Sequence, residues 1–110
     1  MKYPGIYSIT NLENKKQYIG YSRCCLKRMQ NHRYKLSKGI HHCQHLQNAY
    51  TQLGKDYFKY SIIEHLSDTL TNSEFEAVET KWIKLFKTTE KEFGYNKCLP
   101  GSIKIVQNVK

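Results

Sequence analysis

Two short runs near the start of the chain, residues 5–10 and 17–21, are largely β-branched and aromatic, and a polar, turn-forming stretch, residues 11–16, separates them. That pattern predicts an antiparallel hairpin. Cys25, Leu26, Met29 and Leu36 then recur at helical spacing, with Ser22 as the expected cap and Gly39 as the stop. A second helix is expected from His42 or Cys43, carrying Leu46, Ala49, Tyr50 and Leu53 on one stripe and ending at Gly54. Between residues 57 and 66, Phe58, Tyr60, Ile62 and Leu66 alternate with Lys59, Ser61 and His65, the period of a half-buried strand. Ser73 and Glu76 suggest a capping box opening a last helix, with Phe75, Val78, Trp82, Leu85 and Phe86 buried and an end near Lys87. A turn-rich segment follows, containing Gly94-Tyr95-Asn96 and Pro100-Gly101, and residues 103–106 stay unassigned.

The order strand, strand, helix, helix, strand, helix predicts an α+β fold, a small three-stranded antiparallel sheet flanked by helices. At 110 residues the chain fits one domain, placed at residues 1–98, with 99–110 as a C-terminal tail or the start of a linker. Eighteen Lys and Arg against nine Asp and Glu give a formal charge of +9, which suits an anionic partner such as nucleic acid. No apolar stretch approaches the roughly 20 residues of a bilayer span, and the N-terminus does not read as a signal peptide, so the expected location is the cytoplasm, including a host's cytoplasm for a phage-encoded protein. Cys24, Cys25, Cys43 and Cys98 are accordingly read as reduced thiols. Together with His41, His42 and His45 they raise the question of zinc, but no C-x-x-C pair or matched pair of histidines supports it.

Several residues have the chemistry of a phosphodiesterase site. Arg28 and His32, at i and i+4 of the first helix, put a permanent cation beside an imidazole on one face. Glu79 lies at the edge of the last helix's buried stripe, and no Lys or Arg stands three or four residues from it to form a helix ion pair. A semi-buried carboxylate of this kind suits Mg²⁺ bound through one protein oxygen. Tyr7 and Tyr18 stand in two tripeptides, Gly5-Ile6-Tyr7 and Tyr18-Ile19-Gly20, whose outer glycines are expected to let a phosphate backbone approach.

Those tripeptides, with Arg28, His32, Glu79 and the late turn Gly94-Tyr95-Asn96, resemble the GIY-YIG nuclease family over most of the chain, most closely the catalytic domains of phage-type intron homing endonucleases. The resemblance implies a DNA endonuclease that hydrolyses a phosphodiester by in-line attack of water, with one Mg²⁺ or Mn²⁺ held by Glu79. Tyr7 would take the water's proton directly or through a relay, Tyr18 and His32 would orient that tyrosine or the phosphate, and Arg28 would stabilise charge on phosphate oxygens. Asn96 would position backbone or phosphate. His41 matches a further histidine of homing members, with His42 an equal occupant. Lys15, Lys16, Arg23, Lys27, Arg33 and Lys35 are expected to add phosphate contacts to double-stranded DNA. No small-molecule cofactor is implied, and the enzyme would act as a monomer or a transient dimer on DNA. The biological use stays open between homing, restriction and repair. Two rival readings also stay open: a basic module that binds DNA or RNA without cutting, and a zinc-stabilised interaction domain built on Cys24, Cys25, His41, Cys43 and His45.

Overall fold

The computed structural model describes residues 3–97. In chain order the elements are β1 (Gly5–Asn11), β2 (Gln17–Ser22), α1 (Cys25–Lys38), α2 (Gln44–Leu53), a single 3-10 turn (Lys55–Tyr57), β3 (Phe58–His65) and α3 (Asn72–Phe86). They form the expected α+β arrangement, with an antiparallel sheet in the order β2-β1-β3. Cys98 and the unassigned residues 103–106 lie outside the described residues.

Strand alternation divides the sheet into two faces. Tyr7 and Ile9 of β1 point toward α1 and α2, where Ile9 packs with Leu36, Cys43, Leu46, Phe58 and Tyr95, and Tyr7 packs with Cys25 and Met29. Ile6 points the other way and meets Ile19 and Ile83 of α3, flanked by Val78 and Trp82. The central strand is therefore buried on both sides, with nearly every residue inaccessible.

Several local expectations are corrected. The capping box of α3 is Thr71 with Glu74, two residues earlier than Ser73 and Glu76. Ser22 does not cap α1: its hydroxyl accepts from the Cys24 N–H, and Cys24 occupies the cap position with no side-chain bond. Leu26 and Leu85, placed on buried stripes by spacing, are 44% and 63% exposed. Tyr57 belongs to the 3-10 turn, not to β3. The alternation along β3 breaks at Glu64 because the register shifts between Ile6 and Tyr7, leaving a bulge beside Ile63. The bulge brings Glu64 under α3, where its carboxylate accepts from Trp82 Nε1 at 2.6 Å.

The two motif glycines serve internal packing. A side chain at Gly5 would strike the Glu64 carbonyl of β3, and one at Gly20 would strike the phenol of Tyr7. Neither leaves room for an approaching phosphate, so that expectation is replaced by a closer one: Gly20 is the space through which Tyr7 crosses β2.

β2 lies at the edge of the sheet, and its outward groups are answered one by one. Gln17 bonds the backbone of Phe93 and Tyr95, and both Ile19 groups pair with the Asn96 amide at 2.9 Å. The carboxylate of Glu79 stands near the Tyr21 backbone. The edge is closed by elements that also build the site, and it is unavailable for pairing with another strand.

Candidate active site

Three side chains form a buried chain beneath the β2 edge. Tyr7 Oη lies 2.7 Å from His32 Nε2, and His32 Nδ1 lies 2.6 Å from His41 Nε2. His41 Nδ1 in turn accepts from the Cys43 backbone N–H at 3.0 Å. Burial and the neighbouring positive charge of Arg28 hold His32 down at about 3, and burial, with His42 beside it, holds His41 down at about 4, so both imidazoles are neutral at physiological pH.

Neutrality fixes the direction of every bond, because each ring then has one donor and one acceptor. A backbone N–H only donates, so His41 Nδ1 is the acceptor and His41 Nε2 carries the hydrogen. His32 Nδ1 therefore accepts, His32 Nε2 carries the hydrogen, and it donates to the phenol oxygen of Tyr7. The Tyr7 proton is left pointing away from His32. Gln47 of α2 braces this arrangement, its Oε1 accepting from the His41 backbone N–H and its Nε2 donating to the Leu36 carbonyl at the end of α1.

Burial raises the Tyr7 phenol above its ordinary value, as does the Tyr18 phenol nearby, while the charge and hydrogen bonding of Arg28 pull it back down. Arg28 thus stands near the phenol that His32 bonds. Burial pushes Tyr18 up to about 12, against the pull of Arg28, and its hydroxyl bonds His42 Nε2 at 3.1 Å on the exposed side. Both histidines of the connection before α2 are used, His41 in the buried chain and His42 at the mouth.

Glu79 arrives from the opposite face of the sheet on α3. It is 9% exposed, and burial, followed by the negative charge of Glu76, pushes its carboxyl up to about 7. Its field reaches Tyr7, Tyr18 and Tyr21, so the acid and both motif tyrosines share one neighbourhood. Among the described residues no group of three His, Cys, Asp or Glu side chains is disposed to hold a metal ion. Cys25 and Cys43 belong to separate apolar clusters, so the zinc set of the rival reading is not assembled. What the site offers a cation is one oxygen-donor carboxylate that lacks a counter-charge, which fits Mg²⁺ or Mn²⁺, ions that retain water and take phosphate oxygens.

The remaining expected residues divide. Both amide groups of Asn96 are engaged by Ile19, so it holds the strand that carries Tyr18. Arg23 also has partners within the fold: its guanidinium donates to the carbonyls of Asp68 and Leu70 and to Asn72 Oδ1, and it stacks on Phe75, tying β2 to the start of α3. Lys27 lines a shallow cleft with Arg28, and Lys35 is close enough to lower His32, His41 and His42. Lys15 is exposed in the hairpin turn and Lys16 half-buried beside it, while Arg33 lies over the Tyr60 ring on the β3 side. Between Glu13 and Asp56 the chain has no acidic residue and nine lysines and arginines, and this stretch supplies β2, α1 and α2.

Sequence spacing missed Gln47 and the Cys43 backbone, which set the orientation of His41. An amide next to Leu46 inside a helix's buried band was the available signal, since such a group needs internal partners.

A hydrogen-bonded phenol and imidazole pair, an adjoining guanidinium and one buried acid on a three-stranded sheet are the features of a small hydrolytic nuclease domain. Residues 3–96 match the GIY-YIG catalytic domain, and the chain belongs to that family. Two solved structures illustrate the likeness. The catalytic domain of homing endonuclease I-TevI is 32% identical with a TM-score of 0.77, covering 86% of this chain and 98% of that one. A mutant form of the catalytic domain of intron endonuclease I-TevI is 30% identical with a TM-score of 0.78, covering 87% and 94%. A search of curated proteins gives no match.

Proposed function

We propose that this nuclease domain is a DNA endonuclease that hydrolyses phosphodiester bonds with one divalent cation at Glu79. The observation that carries the reading is the convergence of Tyr7, Arg28, His32 and Glu79, drawn from both faces of the sheet, on the β2 edge. The scissile phosphate lies against Arg28, whose charge stabilises negative charge building on the phosphate oxygens. Tyr7 Oη, as the phenolate, takes a proton from the attacking water, while the same oxygen receives the hydrogen bond of His32 Nε2 and the charge of Arg28 stands beside it. Tyr18, tethered to His42, orients the phosphate. Glu79 holds the cation, which when bound supplies positive charge to the phosphate.

The likeness to I-TevI favours a homing-type or free-standing phage-like enzyme over restriction or repair, working on double-stranded DNA as a monomer or a transient dimer. Plasmid digestion tests the core of this reading. Supercoiled DNA should be nicked or linearised in Mg²⁺ or Mn²⁺ and left intact in chelator, and Glu79→Ala should abolish cutting while DNA binding persists. Cutting by Glu79→Ala at the wild-type rate would sink it, and binding without any cutting would favour the non-catalytic module.

A further inference from the structure

The exposed face of α2 differs chemically from everything around it. It lies within the acid-free stretch of the chain, yet α2 itself carries no Lys, Arg, Asp or Glu. Its exposed side chains are Gln44, His45, Asn48, Thr51 and Gln52, all uncharged hydrogen-bonding groups at neutral pH. Its first turn follows directly on His41, His42 and Cys43, so it begins at the mouth of the candidate active site. Gln44, His45 and Asn48 line one wall of a cleft of about 530 Å³, and Lys91 and Lys97 stand on the other with Asn96, which braces the strand of Tyr18.

The end of this face is preorganised. Gln44 Nε2 donates to Asn48 Oδ1 at 2.7 Å, one helical turn apart, which leaves Gln44 Oε1 as a free acceptor and Asn48 Nδ2 as a free donor. Lysines attract phosphate whatever the sequence, whereas amides, which also bond phosphate, are the side chains whose paired donor and acceptor match a base edge. On the proposed nuclease reading, we propose that α2 is a base-reading element: Gln44 and Asn48 contact the major-groove edge of DNA beside the scissile phosphate. Lysines around the cleft hold the backbone. The donor and acceptor together suit adenine, the one base whose major-groove edge offers both an acceptor and a donor.

A randomised duplex pool tests this in two arms, one cut in Mg²⁺ with the ends sequenced, the other bound in chelator with the retained DNA sequenced. The full chain should favour adenine at a fixed distance from the cut and enrich the same base when it only binds. Asn48→Ala and Gln44→Ala should each reduce that preference about tenfold or more. Both variants should keep the wild-type fold and Tm, since both positions are exposed. A profile without base preference, or one unchanged in both variants, overturns the inference. A preference that depends on Asn48 in the bound pool without any cutting upholds base reading and defeats the nuclease reading. A pool neither cut nor enriched defeats both.

Discussion

On the face of the sheet covered by α1 and α2, Tyr7, His32 and His41 are buried with their polar atoms joined in one directed chain that ends on a backbone N–H. On the face covered by α3, Glu79 is buried near the Tyr21 backbone, with a second carboxylate one turn away. The first arrangement is complete without any ligand, and keeping its imidazoles neutral removes the penalty of burying charge. The second is incomplete: its carboxyl is driven toward neutrality unless a cation comes to it. On the proposed reading, the proton-handling half of the site is therefore preorganised by the fold, while the charge-handling half would be completed by metal and substrate.

The largest test removes the oxygen on which the complete half converges. Tyr7→Phe should lower the cleavage rate about 10² to 10⁴-fold with the fold intact, and Arg28→Ala should cost roughly 3 to 4 kcal/mol in the barrier, about a hundredfold or more. The pH dependence distinguishes the two halves. Because burial raises Tyr7, its phenolate fraction should climb about tenfold per pH unit across the neutral range, with no limb from His32 or His41, which stay neutral above about 4. Below about 7 the rate should fall more steeply as Glu79 gains a proton, and saturating Mg²⁺ should remove that extra steepness by favouring the carboxylate. A bell with an acid limb near the ordinary histidine range would break the account of neutral imidazoles.

The incomplete half can be tested by stability alone. The folded carboxyl of Glu79 titrates at about 7, above the 4.5 of the free group, so between these values the native state binds more protons than the unfolded chain. Glu79's contribution is fully present below about 4.5 and is lost as pH rises through 7. Glu79→Gln should accordingly match the wild type at acid pH and exceed it by on the order of 2 kcal/mol at pH 8. Adding Mg²⁺ at pH 8 should stabilise the wild type and leave the Gln variant unmoved. Equal Tm values at pH 8 without metal would mean that the carboxylate is not confined as described.

The two faces were not equally legible from sequence. Element order follows from periodicity, because a helix period of 3.6 and a strand period of 2 fix which residues share a face, while Tyr7, Tyr18, Arg28, His32 and Glu79 were marked as one set by the family resemblance that the paired tripeptides carry. Leu26 and Leu85 were misplaced because spacing marks a stripe but not how wide a surface the neighbouring element covers. The bulge in β3 and the double use of Asn96 were illegible for a different reason. Both depend on pairing between segments far apart in the chain, Ile6 with Glu64 and Ile19 with Asn96. Arg23 had the same limitation: its charge was visible, but its partners on the approach to α3 were not.

The smallest effect concerns the edge that both faces share. Asn96 gives Ile19 one donor and one acceptor, so Asn96→Ala strips two backbone groups of their partners and should lower stability by about 1 to 3 kcal/mol. Asn96→Asp is the sharper substitution. The carboxylate still accepts from the Ile19 N–H but sets an anionic oxygen against the Ile19 carbonyl where an amide hydrogen stood, so at neutral pH it should be no better than Ala. Once protonated, the same group regains a donor. The Asp variant should therefore gain on the Ala variant as pH falls below about 4, the ordinary range of an aspartate, when Tm values are compared at matched pH. If Asp and Ala instead track each other at every pH, the amide does not close the β2 edge, and the outer side of the strand carrying Tyr18 is held by the backbone of residues 93–95 rather than by Asn96.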